Sequence, residues 1–223
     1  MAAPLFEFRN DALSLCRPSY YASYGKRLFD LALVAVMLPV VVPVVVLVTL
    51  LASLGGGRPL YSQLRVGRDG ETFRCWKFRT MIPDADAALA RILADDPALA
   101  AEWQQTQKLR RDPRVTRFGA FLRKTSLDEL PQLWNVLTGT MSIVGPRPFT
   151  PDQQDIYPGG RGYADYYRML PGLTGLWQVS PRNRSSFAER AIYDSAYFVQ
   201  LGLLMDLRII LRTVGVVLRG TGV

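Results

Sequence analysis

At 223 residues the chain is long enough for one sizeable domain and little more. It contains no histidine, which removes His general bases, Ser-His-Asp triads and His metal ligands together, and its two cysteines, Cys16 and Cys75, can neither hold zinc alone nor build a disulfide framework. The formal net charge is +8, and residues 58–124 carry most of the excess, 14 Lys/Arg against 8 Asp/Glu. The partner classes to separate are therefore nucleic acid, an anionic membrane surface and phosphorylated substrates. Carboxylates, Lys, Arg and a hard divalent ion remain for catalysis, the toolkit of phosphate chemistry, and the sparse cysteines fit a reducing, cytosol-facing location.

Residues 1–25 form an N-terminal lead with no clear period. From Leu31 to Gly57 no residue is charged, and Leu, Val and Ala dominate as far as Leu54. At 1.5 Å per residue such a helix reaches ~40 Å, enough for a hydrocarbon core of ~30 Å. It lies too far from the N-terminus for a cleaved signal peptide. A plain spanning helix and a buried core helix both fit its composition. Pro39 and Pro43, four apart near its middle, predict a sharp bend or break. Arg17, Lys26 and Arg27 precede it and Arg58, Arg65 and Arg68 follow, so a spanning helix would leave one basic group on the wrong side. A re-entrant helix-break-helix over 26–57 satisfies both groups and is the expectation.

Gly55-Gly56-Gly57 then releases the chain into a domain over 58–223. Residues 60–80 read as two strands around an Asp69-Gly70 turn, with Lys77 and Arg79 on one face, spaced to grip a diphosphate or merely to solvate an edge. An Ala-rich helix is predicted over roughly 84–107, opened by Pro83 with Asp84 and Asp86 in its first turn, as a helix N-terminus favours. A cation-dense loop over 108–117 and a helical FGAFLRK lead to Ser126-Leu127-Asp128-Glu129-Leu130-Pro131-Gln132-Leu133-Trp134-Asn135-Val136-Leu137. On one helix, Leu127, Leu130, Leu133, Trp134 and Leu137 would face a core, with Asp128, Gln132 and Asn135 opposite. Ser126 and Glu129 make a capping box if the helix starts at Leu127. Pro131 argues instead for a start near Leu130, leaving Asp128 and Glu129 in the turn before it. Either way, two carboxylates sit beside a helix N-terminus. Met141 to Pro148 is a rigid loop whose Pro146 and Pro148 flank Arg147, and Pro171 to Gln178 is another loop. Residues 185–201 read as a helix carrying Asp194. A last helix, roughly 203–219, aligns Arg208, Arg212 and Arg219, suited to lipid headgroups or to an ordinary surface. The fold class expected is α+β, predominantly helical, with a small β-hairpin and amphipathic interfacial helices.

Lys26-Arg27-x-x-Asp30, Tyr61-Ser62-Gln63-x-Arg65-Val66-Gly67, Lys77-Phe78-Arg79-Thr80-Met81, Asp112-Pro113-Arg114-Val115-Thr116, Leu122 to Gln132, Met141 to Pro148 and Pro171 to Gln178 stand in one order. From about Tyr24 onward the chain resembles the bacterial sugar transferases, the monotopic polyprenyl-phosphate phosphoglycosyl transferases. The resemblance implies transfer of a sugar 1-phosphate from a nucleotide diphosphosugar, a UDP-hexose, to polyprenyl (undecaprenyl) phosphate, releasing a nucleoside monophosphate. It implies Asp128 as the nucleophile that carries the phosphosugar, Glu129 as the Mg²⁺ holder, and Lys77, Arg79, Arg123, Pro146, Arg147 and Asp194 around the substrate. It also implies membrane lipid rather than nucleic acid as the partner, and the cytoplasmic face of a bacterial inner membrane as the location. A homodimer is left open.

Thr140 stands where the family often has Asp, and Pro181 where Gly is common, departures that bear on sugar choice. The short lead resembles the stand-alone form used in exopolysaccharide synthesis. Two other functions compete. One is metal-dependent transfer of the sugar alone through Asp84 and Asp86, which form a D-x-D pattern. The other is a non-catalytic scaffold on anionic lipid.

Overall fold

The computed structural model describes residues 20–54, 58–106, 109, 111–159, 164–180 and 187–218. The uncharged stretch folds as helix α1 (Lys26–Leu54), entered through a π-helical turn at Tyr21–Gly25. Among the described residues it is the one helix long and apolar enough to cross a membrane. The break expected at Pro39 and Pro43 is absent, because both prolines lie inside one continuous helix. Both stand on its exposed face, while Val34, Val41 and Val48 form a buried stripe at intervals of seven. Each proline deletes one ladder bond on the outward side, and the ladder along the packed side is left whole.

The Lys-Arg-x-x-Asp motif anchors this helix. Lys26 Nζ lies 3.2 Å from Asp30 Oδ1 and 2.9 Å from Asp206 Oδ2. Asp206 also accepts from the Tyr21 and Tyr197 hydroxyls, 2.6 Å each. Asp30 accepts from the backbone N–H of Ile143 at 3.2 Å, and Arg27 donates to the carbonyls of Val136 and Leu137. Asp30 and Asp206 are 1% and 0% exposed, so the ammonium between them offsets a desolvation cost that neither carboxylate could meet alone.

The hairpin forms as expected: β1 (Leu60–Val66) pairs antiparallel with β2 (Thr72–Phe78), from Leu60 opposite Phe78 to Val66 opposite Thr72. Asp69 and Gly70 take φ of 59° and 78°, the positive values a tight hairpin turn needs. The single helix expected over 84–107 is two, α2 (Ala85–Asp95) and α3 (Pro97–Thr106). Pro97 has no N–H to continue the ladder, and Asp96 caps the new start by accepting from Ala98 and Leu99. In α4 (Arg117–Lys124), Thr116 caps through Gly119, and a Cβ on Gly119 would stand 2.0 Å from the Thr80 carbonyl oxygen. That close approach lays α4 against the end of β2.

The carboxylate stretch takes the second of its two expected forms. Helix α5 (Gln132–Thr138) begins after Pro131, and Leu127–Glu129 form a 3-10 turn ahead of it. Ser126 sits at φ 57° with no side-chain cap bond, so the capping box is not formed. The predicted apolar face is only partly correct: Leu133 and Val136 are buried, but Trp134 is 61% exposed and Leu137 also reaches the surface. The shorter helix rotates the core side toward Val136 and turns Trp134 outward.

Two short strands complete the frame. β3 (Ser142–Val144) pairs in parallel with β4 (Gly172–Thr174), joining the two proline- and glycine-rich loops. Gly145, Gly172 and Gly175 meet here backbone to backbone, and a Cβ on Gly172 would lie 2.1 Å from the Gly145 nitrogen. Helices α6 (Arg190–Val199) and α7 (Leu203–Leu218) follow. α7 buries Met205 and Ile209, while Leu204, Leu207, Leu211 and Val214 face outward beside exposed Arg208 and Arg212. Arg219 and Pro181 lie outside the described residues. The main core runs between α1, α5, β3, α6 and α7, through Val34, Leu133, Val136, Met141, Ile143 and Tyr197. The chain is thus mostly helical, with two small sheets.

Candidate active site

The site is built where the hairpin, the 3-10 turn and the Arg147 loop meet. Period-2 geometry puts Tyr61, Gln63 and Arg65 of β1 on one hairpin face, across from Lys77, Cys75 and Phe73 of β2. Arg65, Cys75 and Lys77 from this face line a cleft whose other wall includes Glu129, Gln132, Arg147 and Pro148. Gly172 and Leu173 complete it, at the junction of the two glycine-rich loops.

At the centre is Glu129. Its Oε1 receives Lys77 Nζ at 2.8 Å and Arg147 Nη2 at 3.4 Å. Burial alone would push the Glu129 carboxyl up, but the Lys77 and Arg147 charges outweigh it and hold the group at about 2. Asp128 goes the other way. It is 9% exposed, and burial and the neighbouring Glu129 raise its carboxyl above the ordinary range, while Lys77, Arg123 and Arg147 oppose the rise. Arg123 is aimed by Thr80, whose Oγ1 accepts from its Nε at 2.9 Å. Arg147 is aimed from behind, because the buried Arg190 donates to its carbonyl at 2.7 Å. Pro146 is buried, and its carbonyl accepts from Gly172, which locks the loop that presents Arg147.

Two more expected site residues stand on neighbouring segments. Arg79 follows the end of β2, its N–H bonded to the Pro59 carbonyl. Asp194 is buried on α6, accepting from the Tyr157 hydroxyl at 2.6 Å beside a cluster of packed rings that includes Phe149 and Tyr166. Burial, opposed by Tyr157 and Arg190, raises its carboxyl to about 6. Asp84 and Asp86 are exposed at the start of α2, and Arg114 of the cation-dense loop turns inward onto Asp112 at 2.7 Å.

A family model described as bacterial sugar transferase matches residues 21–220. The chain belongs to the bacterial sugar transferase family. It is 46% identical over 197 residues to a UDP-galactose-lipid carrier transferase of Erwinia amylovora, covering 88% of this chain and 41% of that protein. It is 44% identical over 199 residues to the exopolysaccharide production protein ExoY of Sinorhizobium fredii, covering 89% of this chain and 87% of that one. A UDP-glucose:undecaprenyl-phosphate glucose-1-phosphate transferase of Escherichia coli is 35% identical, with 85% of this chain and 39% of the relative matched. The chain thus spans about two fifths of the length of some relatives and most of the length of others.

Several residues at the site have roles that their place in the sequence did not show. Asn135 is 3% exposed, accepts from the N–H of Trp76 at 3.1 Å and donates to the Arg74 carbonyl at 2.7 Å. It serves as the missing neighbour of edge strand β2 and so fixes α5, and the turn before it, against Lys77. Thr140 receives a further bond from Asn135 at 3.1 Å, so this departure from the family pattern sits in the same brace. Gln132 lines the cleft one turn away. Arg65 joins the site through hairpin register, a signal available once Asp69-Gly70 is taken as the turn.

Proposed function

We propose that this protein transfers a sugar 1-phosphate from a nucleotide diphosphosugar, a UDP-hexose, to polyprenyl phosphate through a phosphosugar carried on Asp128. One observation carries the reading: the adjacent Asp128 and Glu129 carboxyls are shifted in opposite directions, and Glu129 lines a cleft together with Arg65, Lys77 and Arg147. The names of the relatives, which pair UDP-sugars with a lipid carrier or undecaprenyl phosphate, support the substrate class. The Asp128 carboxylate attacks the phosphorus that bears the sugar. The bond from that phosphorus to the nucleotide's other phosphate breaks, and nucleoside monophosphate leaves. An oxygen of the polyprenyl phosphate then attacks the same phosphorus and frees Asp128. An ionised carboxylate needs no general base, in keeping with a chain that has no histidine. Lys77, Arg123 and Arg147 offset the charge that gathers on the phosphoryl oxygens.

A magnesium ion fits the donor set in one mode. Among the described residues no three acidic, Cys or His groups gather, so the protein offers no cage, but Glu129 is ionised throughout the physiological range. Glu129 would hold the ion with substrate phosphates supplying further oxygens, and the ion would neutralise phosphate charge.

The membrane reading rests on α1 and α7. The buried stripe of α1 stays on the same domain from Val34 to Val48, on both sides of the prolines, packing at its far end against Phe78 and Leu122. Fourteen rises of 1.5 Å span ~21 Å, and a stripe packed over that length supports a helix held along the domain. Its outer face, Val36, Val40, Val46, Leu47 and Leu50, is exposed and apolar, as are the outward leucines of α7. Both would enter one leaflet from the cytoplasmic face of the inner membrane, where the polyprenyl phosphate headgroup lies.

The test is a half-reaction. Protein, UDP-sugar and Mg²⁺ without polyprenyl phosphate should give a hydroxylamine-labile sugar phosphate on the protein, mapped to Asp128. Asp128→Asn should abolish both adduct and turnover in a folded protein. Activity surviving in Asp128→Asn but lost in the Asp84→Asn, Asp86→Asn double variant, with release of nucleoside diphosphate, would establish transfer of the sugar alone instead.

A further inference from the structure

We infer that Arg65 is a phosphate ligand of this cleft, closing with Arg147 on a phosphate group held between the β-hairpin and the Arg147 loop. The inference rests on the proposed function only in assigning whose phosphate it is. Three cations, Arg65, Lys77 and Arg147, line the cleft, and one carboxylate, Glu129, lines it with them. That carboxylate is already shared by Lys77 and Arg147 through a single oxygen. Arg65 is bonded only to neutral oxygens among the described residues: Gln63 Oε1 at 2.7 Å, and the Pro148 carbonyl at 3.5 Å, the long limit of a hydrogen bond. Its guanidinium is half-buried, and burial together with the facing Arg147 charge depresses its proton affinity below the ordinary arginine value.

A half-buried guanidinium facing another with no carboxylate of its own is costly to the protein alone. A phosphate between the two forks relieves both terms at once, because each fork can give two parallel N–H bonds to phosphate oxygens. The scaffold is arranged for this. Gln63 stands two residues before Arg65 on the same hairpin face and holds one arm of the guanidinium, while Gly145, Gly172 and Gly175 pack the two loops of the opposite wall backbone to backbone. The contact to Pro148 ties Arg65 to the very loop that carries Arg147. The phosphate has two candidate sources of the same chemistry, the nucleotide end of the donor and the head of the polyprenyl acceptor.

Inorganic diphosphate is the probe, titrated calorimetrically into the detergent-solubilised full chain. Arg65→Gln should weaken binding about 10-fold or more, the loss expected for a charge-assisted bond. Arg65→Lys, which keeps charge but loses the fork, should fall in between. Arg68→Gln, on the exposed hairpin turn, should bind as wild type. Wild-type affinity in Arg65→Lys and in any folded Arg65→Gln overturns the inference. Should Arg65→Gln fail to fold, Arg65→Lys alone decides. Steady-state kinetics then separate the sources: a raised KM for the nucleotide sugar assigns the donor phosphate, and a raised KM for polyprenyl phosphate assigns the acceptor. Unchanged KM for both overturns a role in the reaction. Diphosphate binding that depends on Arg65 in a protein that turns over no nucleotide sugar would sustain the clamp and remove the proposed function.

Discussion

Asp128 and Glu129 are neighbours in the chain, yet their surroundings drive their carboxyls in opposite directions. Glu129 meets two cations at 2.8 and 3.4 Å and stays ionised down to about pH 2, so the stability it lends is present above the ordinary Glu range and lost as pH falls through about 2. Asp128 is buried, and its carboxyl is raised, so as pH falls it takes up a proton before an ordinary aspartate would. If its carboxylate is the attacking group, kcat/KM must fall on the acid side through that raised value. Lys77 pulls the Asp128 carboxyl down, so Lys77→Met should move this acid limb to higher pH and lower the plateau on the order of 10-fold. A pH–rate profile checks it, and a limb that stays in place would take Asp128 out of the role. Asp194, with its carboxyl at about 6, is another group able to produce such a limb, and Asp194→Asn in the Lys77→Met background tests it.

At the scale of elements, the helix least connected to catalysis by composition is bonded to the frame that carries the site. Lys26, Arg27 and Asp30 stitch the start of α1 to α7, to the C-terminal end of α5 and to β3, the strand that runs into the Arg147 loop. Lys26→Met keeps the stem but leaves Asp30 and Asp206 buried without their shared ammonium. It should cost about 3–5 kcal/mol, as the removal of one partner from a buried ion pair does. Thermal or denaturant unfolding of the detergent-solubilised protein measures the cost. A midpoint equal to wild type would mean that the carboxylates are solvated or protonated rather than clamped.

At the scale of the whole molecule, the question is whether α1 enters the membrane or crosses it. With the native cysteines replaced by serine, Tyr20→Cys and Asp69→Cys place single thiols on exposed residues that flank α1. The proposed topology puts both on one side, so a membrane-impermeant maleimide should label neither in intact cells and both in inverted vesicles. Labelling of one alone from outside would make α1 a spanning helix. The labelling also reads the outer face of α7 indirectly, since a domain seated on the leaflet presents Leu204, Leu207 and Leu211 to lipid.

The linear sequence determined those features whose physics is local. Asp69-Gly70 dictated the hairpin because positive φ is cheap there, Pro131 pushed the start of α5 past the carboxylates, and 27 uncharged residues before Arg58 marked a long apolar element without deciding its continuity. The absence of histidine confined catalysis to carboxylates and cations. Only the tertiary structure decided what depends on packing between distant segments. Pro39 and Pro43 were compatible with a break, but they fall on the exposed face of the helix, and the stripe Val34, Val41, Val48 packs on both sides of them. Asn135 looked like one polar residue on a helix face until β2 supplied the unpaired N–H and carbonyl it satisfies. The opposite shifts of the Asp128 and Glu129 carboxyls were likewise invisible in the chain, since a carboxyl's proton affinity is set by burial and by cations that arrive from 52 residues before and 18 residues after Glu129.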